Sequence, residues 1–298
     1  MSEQSLQKWR FTAKRDIHRL IETAHTLRRI WIFVLILGLY SSFAVLKEYS
    51  QFATLLDLPS DIFALFGAIL SIILVFRTNR AYDRWWEART LWGKQVNISR
   101  NLAIKVNQFA ALEHGERQHL QKSIAGFAYA LKDHLRSKAK LREIPGWTDA
   151  SEDPKHVPAW ITQQIYAQMT ALLHQNRLSS DELRICDTDS HDFLNVCGGC
   201  ERIRNTLIAG SYRSYAIKCL LLYLLSLPWG LVEDFGLLTI PVTMIVGYVM
   251  IGLETIADDV EEPFGTDLDD LNLESLCDTI DRTTAEILDV SPVGAPAG

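Results

Sequence analysis

Two apolar blocks set far apart constrain this chain more than anything else in it. One runs from Trp31 to Phe76 and the other from Ala216 to Gly252, with a long polar stretch between them. Directly after the second block comes an acidic run, Asp258-Asp259-Val260-Glu261-Glu262-Pro263-Phe264-Gly265-Thr266-Asp267-Leu268-Asp269-Asp270. Blocks of this length are hard to place in water and suit helices in a bilayer. With carboxylates at their exit, they point to a protein that moves or senses ions rather than one that transforms a metabolite. The expected class is an all-α membrane protein.

Average composition hides this pattern. The 298 residues are 48% hydrophobic, which a soluble domain could also bury. The distribution decides. No Lys or Arg occurs from Cys219 to Asp281, whereas seven basic residues and only two acids, Asp16 and Glu22, lie between Lys8 and Arg29. A formal net charge of -6 argues against a nucleic-acid partner. The first residues are polar and the first apolar run starts at Ile30, so no cleavable signal is expected. The cysteines Cys186, Cys197, Cys200, Cys219 and Cys277 are odd in number and offer no disulfide framework.

Charge bias orients the spans. The first is expected at residues 30–46, bracketed by Arg28-Arg29 and Lys47-Glu48, and the second at residues 62–76. The second is short for a lipid-facing helix, which suits a central, shielded position. The later block is long enough for two spans, near residues 214–232 and 235–253, with the turn at Glu233-Asp234 and bends at Pro228 and Pro241. Basic residues flank the first span at its start and the second at its end (Arg77, Arg80, Arg84, Arg89), while the intervening loops lack Lys and Arg. That places both termini in the cytoplasm of a multi-pass cell-membrane protein. The expected organisation is an N-terminal arm (residues 1–29), two spans (30–76), a cytoplasmic helical region (77–213), two further spans (214–253), and an acidic segment with a tail (254–298). Within the cytoplasmic region, helices are predicted at residues 97–106, 120–137, 159–174 and 191–208, with a Pro- and Gly-containing loop at 140–157.

Few motifs carry covalent chemistry. Cys197-Gly198-Gly199-Cys200 has redox spacing, so a membrane thiol oxidoreductase is one rival class. Against it, the orientation puts both thiols on the reducing side, no second pair is available, and a packing role suits the small Gly-Gly step. There is no HExxH, Walker loop, GxSxG or Rossmann glycine pattern, and an enzyme is not expected. Asp83 and Glu87, with Arg80 and Arg84 three residues before each, have the spacing of ion pairs along a helix surface. The acidic run offers oxygen ligands for a hard cation but not an EF-hand spacing. A non-conducting scaffold that recruits a basic partner through this patch is a third class.

Four pieces, in order, resemble the bestrophin family, especially its bacterial members: Phe76-Arg77-Thr78-Asn79 leading to Glu87-Ala88-Arg89-Thr90-Leu91-Trp92-Gly93; Gly198-Gly199-Cys200-Glu201-Arg202; Leu227-Pro228-Trp229-Gly230-Leu231; and Glu261-Glu262-Pro263-Phe264-Gly265-Thr266. The resemblance implies a homopentamer around one pore, with four spans per subunit in membrane lipid and passive conduction of monovalent ions. Animal members look like calcium-gated anion channels, and bacterial members include cation conductors. It also implies a hydrophobic neck on the second span, at Ala68, Ile72 and Phe76. These share one helix face, but the span is apolar all round, so periodicity alone does not select that face.

The family's second constriction, at the cytoplasmic exit, falls at Asp181 by ungapped counting, with Ser180, Glu182 and Leu183 as alternatives. Five carboxylates at Asp181 would favour cations. No cofactor is implied as a requirement. Calcium is a possible ligand, with Asp267 and Asp270 at side-chain positions of the family's clasp and Asp259 and Glu262 at carbonyl positions. The family's Thr-Pro-x-Pro stretch is replaced here by Asn205-Thr206-Leu207-Ile208-Ala209-Gly210, so a more continuously helical approach to the third span is expected.

Overall fold

The computed structural model describes residues 30–50, 59–137, 139–152, 154–207, 210–267 and 269–294. The basic N-terminal arm at 1–29, on which the orientation argument leans, lies outside the described residues, as do most of the first interspan loop and the end of the tail. The described chain up to Tyr82, together with its residues from 210 to Glu261, forms one compact unit. Asp83–Leu207, with the described residues from Glu262 onward, forms a second. Among the described residues there is no strand.

The first unit contains α1 (Ile30–Glu48), the start of α2 (Ser60–Phe109), α6 (Gly210–Phe235) and α7 (Thr239–Glu261). The 19 residues of α1 span about 28 Å, close to a bilayer's hydrocarbon thickness. Leu37 of α1, Leu70 and Leu74 of α2, and Leu220 and Leu224 of α6 pack together inside. Much of the large apolar surface faces outward instead: Leu39 is 67% exposed and Leu222 71%. Charged Arg77, Glu254 and Glu261 are buried. Apolar residues outside and charge inside invert the pattern of a water-soluble domain and fit a lipid-facing surface.

Small residues allow close helix approach. A Cβ at Gly230 would collide with the ring of Phe63, so the Trp229-Gly230 step lets α6 lie against α2. Trp229 Nε1 donates to the Tyr40 hydroxyl at 2.7 Å, and Tyr40 donates to the Leu225 carbonyl at 3.0 Å, a polar tie between α1 and α6. The turn expected at Glu233-Asp234 falls later. α6 continues to Phe235, and the chain breaks at Gly236, whose φ of +51° lies in the left-handed region that glycine adopts without Cβ strain. α6 runs through Pro228, whereas Pro241 sits in the first turn of α7, where its missing N–H breaks no helical bond.

The second unit packs the rest of α2 with α3 (His114–Arg136), α4 (Val157–His174), α5 (Ser180–Asn205) and α8 (Leu273–Leu288). Trp92, Leu102, Phe127, Leu131, Ile161 and Phe193 lie in its core. The expected loop at 140–157 holds, among its described residues, a short 3-10 turn, Leu141–Glu143, before α4 begins. Two expectations need correction. α5 starts at Ser180 rather than 191, because Ser179 and Glu182 cap it reciprocally: each side chain takes the other residue's backbone N–H. α5 also ends at Asn205 rather than continuing toward α6. Arg84 donates to the carbonyls of Ile203 and Thr206, satisfying acceptors that a longer helix would have used internally. α8, not among the expected helices, shows Leu273, Cys277, Ile280, Thr284 and Leu288 buried at three- to four-residue spacing, with Asn272 capping Ser275 N–H at 3.0 Å.

Candidate pore helix and ion sites

α2 carries the candidate neck, and its packing marks a buried side that composition left open. At about 100° per residue, buried Phe63, Leu70, Leu74, Arg77 and Ala81 fall within about 40° of one line along the helix. Ala68, Ile72 and Phe76 fall within about 40° of the opposite line. On one copy of the chain all three are exposed, Ile72 at 57% and Phe76 at 62%. Exposed apolar side chains facing away from their own unit need either lipid or further copies of the chain to cover them.

Arg77, the residue after Phe76, is fully buried. Its Nε lies 2.7 Å from Glu254 Oε2, and its Nη2 meets Asp258 and lies 3.8 Å from Glu261 Oε2. Arg213 Nη2 reaches the other oxygen of Asp258 at 2.7 Å. Two guanidinium groups thus face three carboxylates from one face of α7. Arg77 is a flanking positive charge in the sequence argument; here it is an internal one that fastens α2 to α7. The detectable signal is Glu254, Asp258 and Glu261 at i, i+4 and i+7, one stripe of charge on an apolar helix that needs a buried cation. Contacts of the next segment run across helices: Glu87 pairs with Arg202, and Arg84 donates to backbone carbonyls at the end of α5.

Asp181 occupies the first turn of α5, exposed, with Arg184 Nη2 3.7 Å away. Of its alternatives, Glu182 is used by the cap, where the Ser179 amide and hydroxyl hold its carboxyl below the usual range, and Leu183 packs on the core. Ser180 is exposed beside Asp181.

The acidic run is divided. Asp259 lies in the last turn of α7 in the first unit, while Glu262, Asp267 and Asp270 belong to the second. Asp270 Oδ2 accepts the Asp267 amide at 2.6 Å, and Leu271 N–H donates to the Pro263 carbonyl at 3.0 Å, closing a tight loop. The carboxylate oxygens of Asp267 and Asp270 suit a hard cation, but one Asp270 oxygen is already taken by the loop itself.

Cys197 and Cys200 are buried and unbridged. Burial, with the nearby Glu201 charge, pushes the Cys197 thiol up to about 12 and Cys200 higher still. A thiol held protonated is a poor nucleophile, and nothing here supports the oxidoreductase alternative.

The fold and this arrangement define an all-helical membrane protein. The chain matches the bacterial/fungal bestrophin family over residues 13–286 and belongs to that family. A voltage-dependent anion channel-forming protein of Nostoc is 32% identical over 237 residues, covering 75% of this chain and 76% of the relative. Another of that name from Mesorhizobium japonicum is 32% identical over 234 residues, covering 77% and 75%. The crystal structure of a bacterial bestrophin homologue from Klebsiella pneumoniae superposes with a TM-score of 0.80 at 27% identity, covering 88% of this chain and 99% of that one. These relatives carry channel or bestrophin names, not enzyme names.

Proposed function

We propose that five copies of this chain assemble around α2 as a passive channel for monovalent ions across the cell membrane, with both termini cytoplasmic. The observation that carries this reading is the exposed face of Ala68, Ile72 and Phe76, set opposite the buried stripe of the same helix. Five such faces enclose an apolar constriction that wets when open and dewets when shut. Ala68 is the smallest of the three, so the end of the neck near α2's start is its wider part. Permeation then continues to an exit at Asp181.

Cation permeability is supported by that exit carboxylate, because a ring of negative charge attracts cations and repels anions. Anion conduction is the second reading. It is favoured by the printed names of the Nostoc and Mesorhizobium relatives and by Arg184, which offsets the charge of Asp181. Calcium is proposed as a ligand of Asp267 and Asp270, with Glu262 in the same loop, on the strength of oxygen chemistry alone.

Native mass spectrometry and planar-bilayer recording of the purified protein test the channel reading together. A five-copy mass with ion currents is expected. A single-copy mass without current would remove it. Reversal potentials under ion substitution, with and without calcium, separate the two selectivity readings.

A further inference from the structure

The geometry points to a binding site for one zinc-class divalent transition ion at His134, His156 and Glu201, in the second unit. Three elements meet there: the last turn of α3 supplies His134, the residue capping α4 supplies His156, and α5 supplies Glu201 from the Gly-Gly-Cys-Glu-Arg motif, which the pore does not use. His134 Nε2 lies 2.6 Å and His156 Nε2 3.0 Å from the same oxygen, Glu201 Oε1. The three ligand atoms all fall within 4.8 Å of one another, the one such trio among the described residues. The two imidazole rings lie 4.7 Å apart by centroid. The three side chains are 21%, 41% and 32% exposed, so an ion can enter from solvent.

Two imidazoles and one carboxylate are the ligand types zinc takes, and three protein ligands leave a position for water. Tetrahedral bonds of about 2.0–2.1 Å require ligand atoms about 3.3 Å apart. The present spacings of 2.6 and 3.0 Å are hydrogen-bond lengths, so the trio opens by about 0.3 to 0.7 Å when the ion replaces the bridging protons.

The ion also has a specific opponent. His156 Nδ1 accepts the Ala159 amide at 3.1 Å as the cap of α4, so its proton sits on Nε2 and points at Glu201. To bind metal through Nε2 in the neutral state, His156 moves that proton to Nδ1 and releases the Ala159 amide. Loading the site therefore loosens the start of α4, and that coupling distinguishes this site from zinc adhering to surface carboxylates.

Zinc titration of the chelator-stripped full-length protein by calorimetry tests the site, with cobalt as a spectroscopic substitute. One ion per chain is expected, with affinity lowered at least about tenfold in His134→Ala and in His156→Ala. Cobalt is expected to give the visible bands of a four-coordinate nitrogen–oxygen site, and hydrogen exchange at the Ala159 amide is expected to quicken on loading. The cobalt spectrum and the exchange measurement need only the unmutated chain. Absence of stoichiometric binding, unchanged affinity in both variants, a cobalt–thiolate absorption that places the metal on the cysteines, or unaltered exchange at Ala159 would each overturn the assignment. None of these readouts depends on conduction.

Discussion

Arg77 Nε lies 2.7 Å from Glu254 Oε2, one residue beyond Phe76 at the end of the candidate neck. The pair ties α2 to α7 through buried charge. Arg77 faces inward, whereas Phe76 and Ile72 are exposed.

Arg77→Met leaves three carboxylates with fewer positive partners. Thermal unfolding of the detergent-solubilised protein is expected to show a loss of about 3–5 kcal/mol, the cost of stranding buried charge. Adding Glu254→Gln should restore part of it by removing one of those charges. Equal stability of Arg77→Met and the unmutated protein would show that this cluster does not hold the helices together.

Ile72→Ala and Phe76→Ala each widen the proposed neck and lessen its tendency to dewet. Larger currents in bilayers are expected from both. Unchanged currents in both variants would move the constriction elsewhere on the chain.

Asp181→Asn removes the charge of the proposed exit while keeping the α5 cap, which Ser179 and Glu182 supply. A drop in cation-over-anion preference is expected from reversal potentials. If selectivity does not move, Asp181 plays no part in it.

Replacing Cys197 and Cys200 together with Ser should leave conduction intact. Alkylation of either thiol in the folded protein should be slow from pH 7 to 9, because burial keeps both protonated. Rapid labelling at neutral pH would contradict their placement in the core.

Glu116 and Arg177 form a two-armed ion pair, with Nη1–Oε1 at 2.6 Å and Nη2–Oε2 at 2.7 Å. The hydrogen bond from Arg177 holds the Glu116 carboxyl below its ordinary value of 4.5. Since the folded value is depressed, the pair's contribution is present above about pH 4.5 and fades as pH falls through the folded value. Glu116→Gln should therefore be less stable than the unmutated protein at neutral pH, with the difference shrinking in acid. A difference independent of pH would show that charge is not its source.

Residue order alone determined a good deal. Long uncharged runs determined where the spans lie, because burying an unpaired charge in hydrocarbon is costly enough to exclude Lys and Arg from them. Four short motifs in order determined the family. Capping chemistry at Ser179-x-x-Glu182 and the stripe from Leu273 to Leu288 act over one or two turns, yet periodicity alone started α5 at 191 and did not yield α8.

The outward face of α2 was decided only by tertiary structure. A helix apolar all round has no preferred side until a neighbour contributes Leu220, Leu224 or Glu254 to one of them. The same holds for Arg77, a flanking charge by position and an internal one by packing. It holds again for His134, His156 and Glu201, which lie far apart in the chain and converge on one oxygen because three helices do.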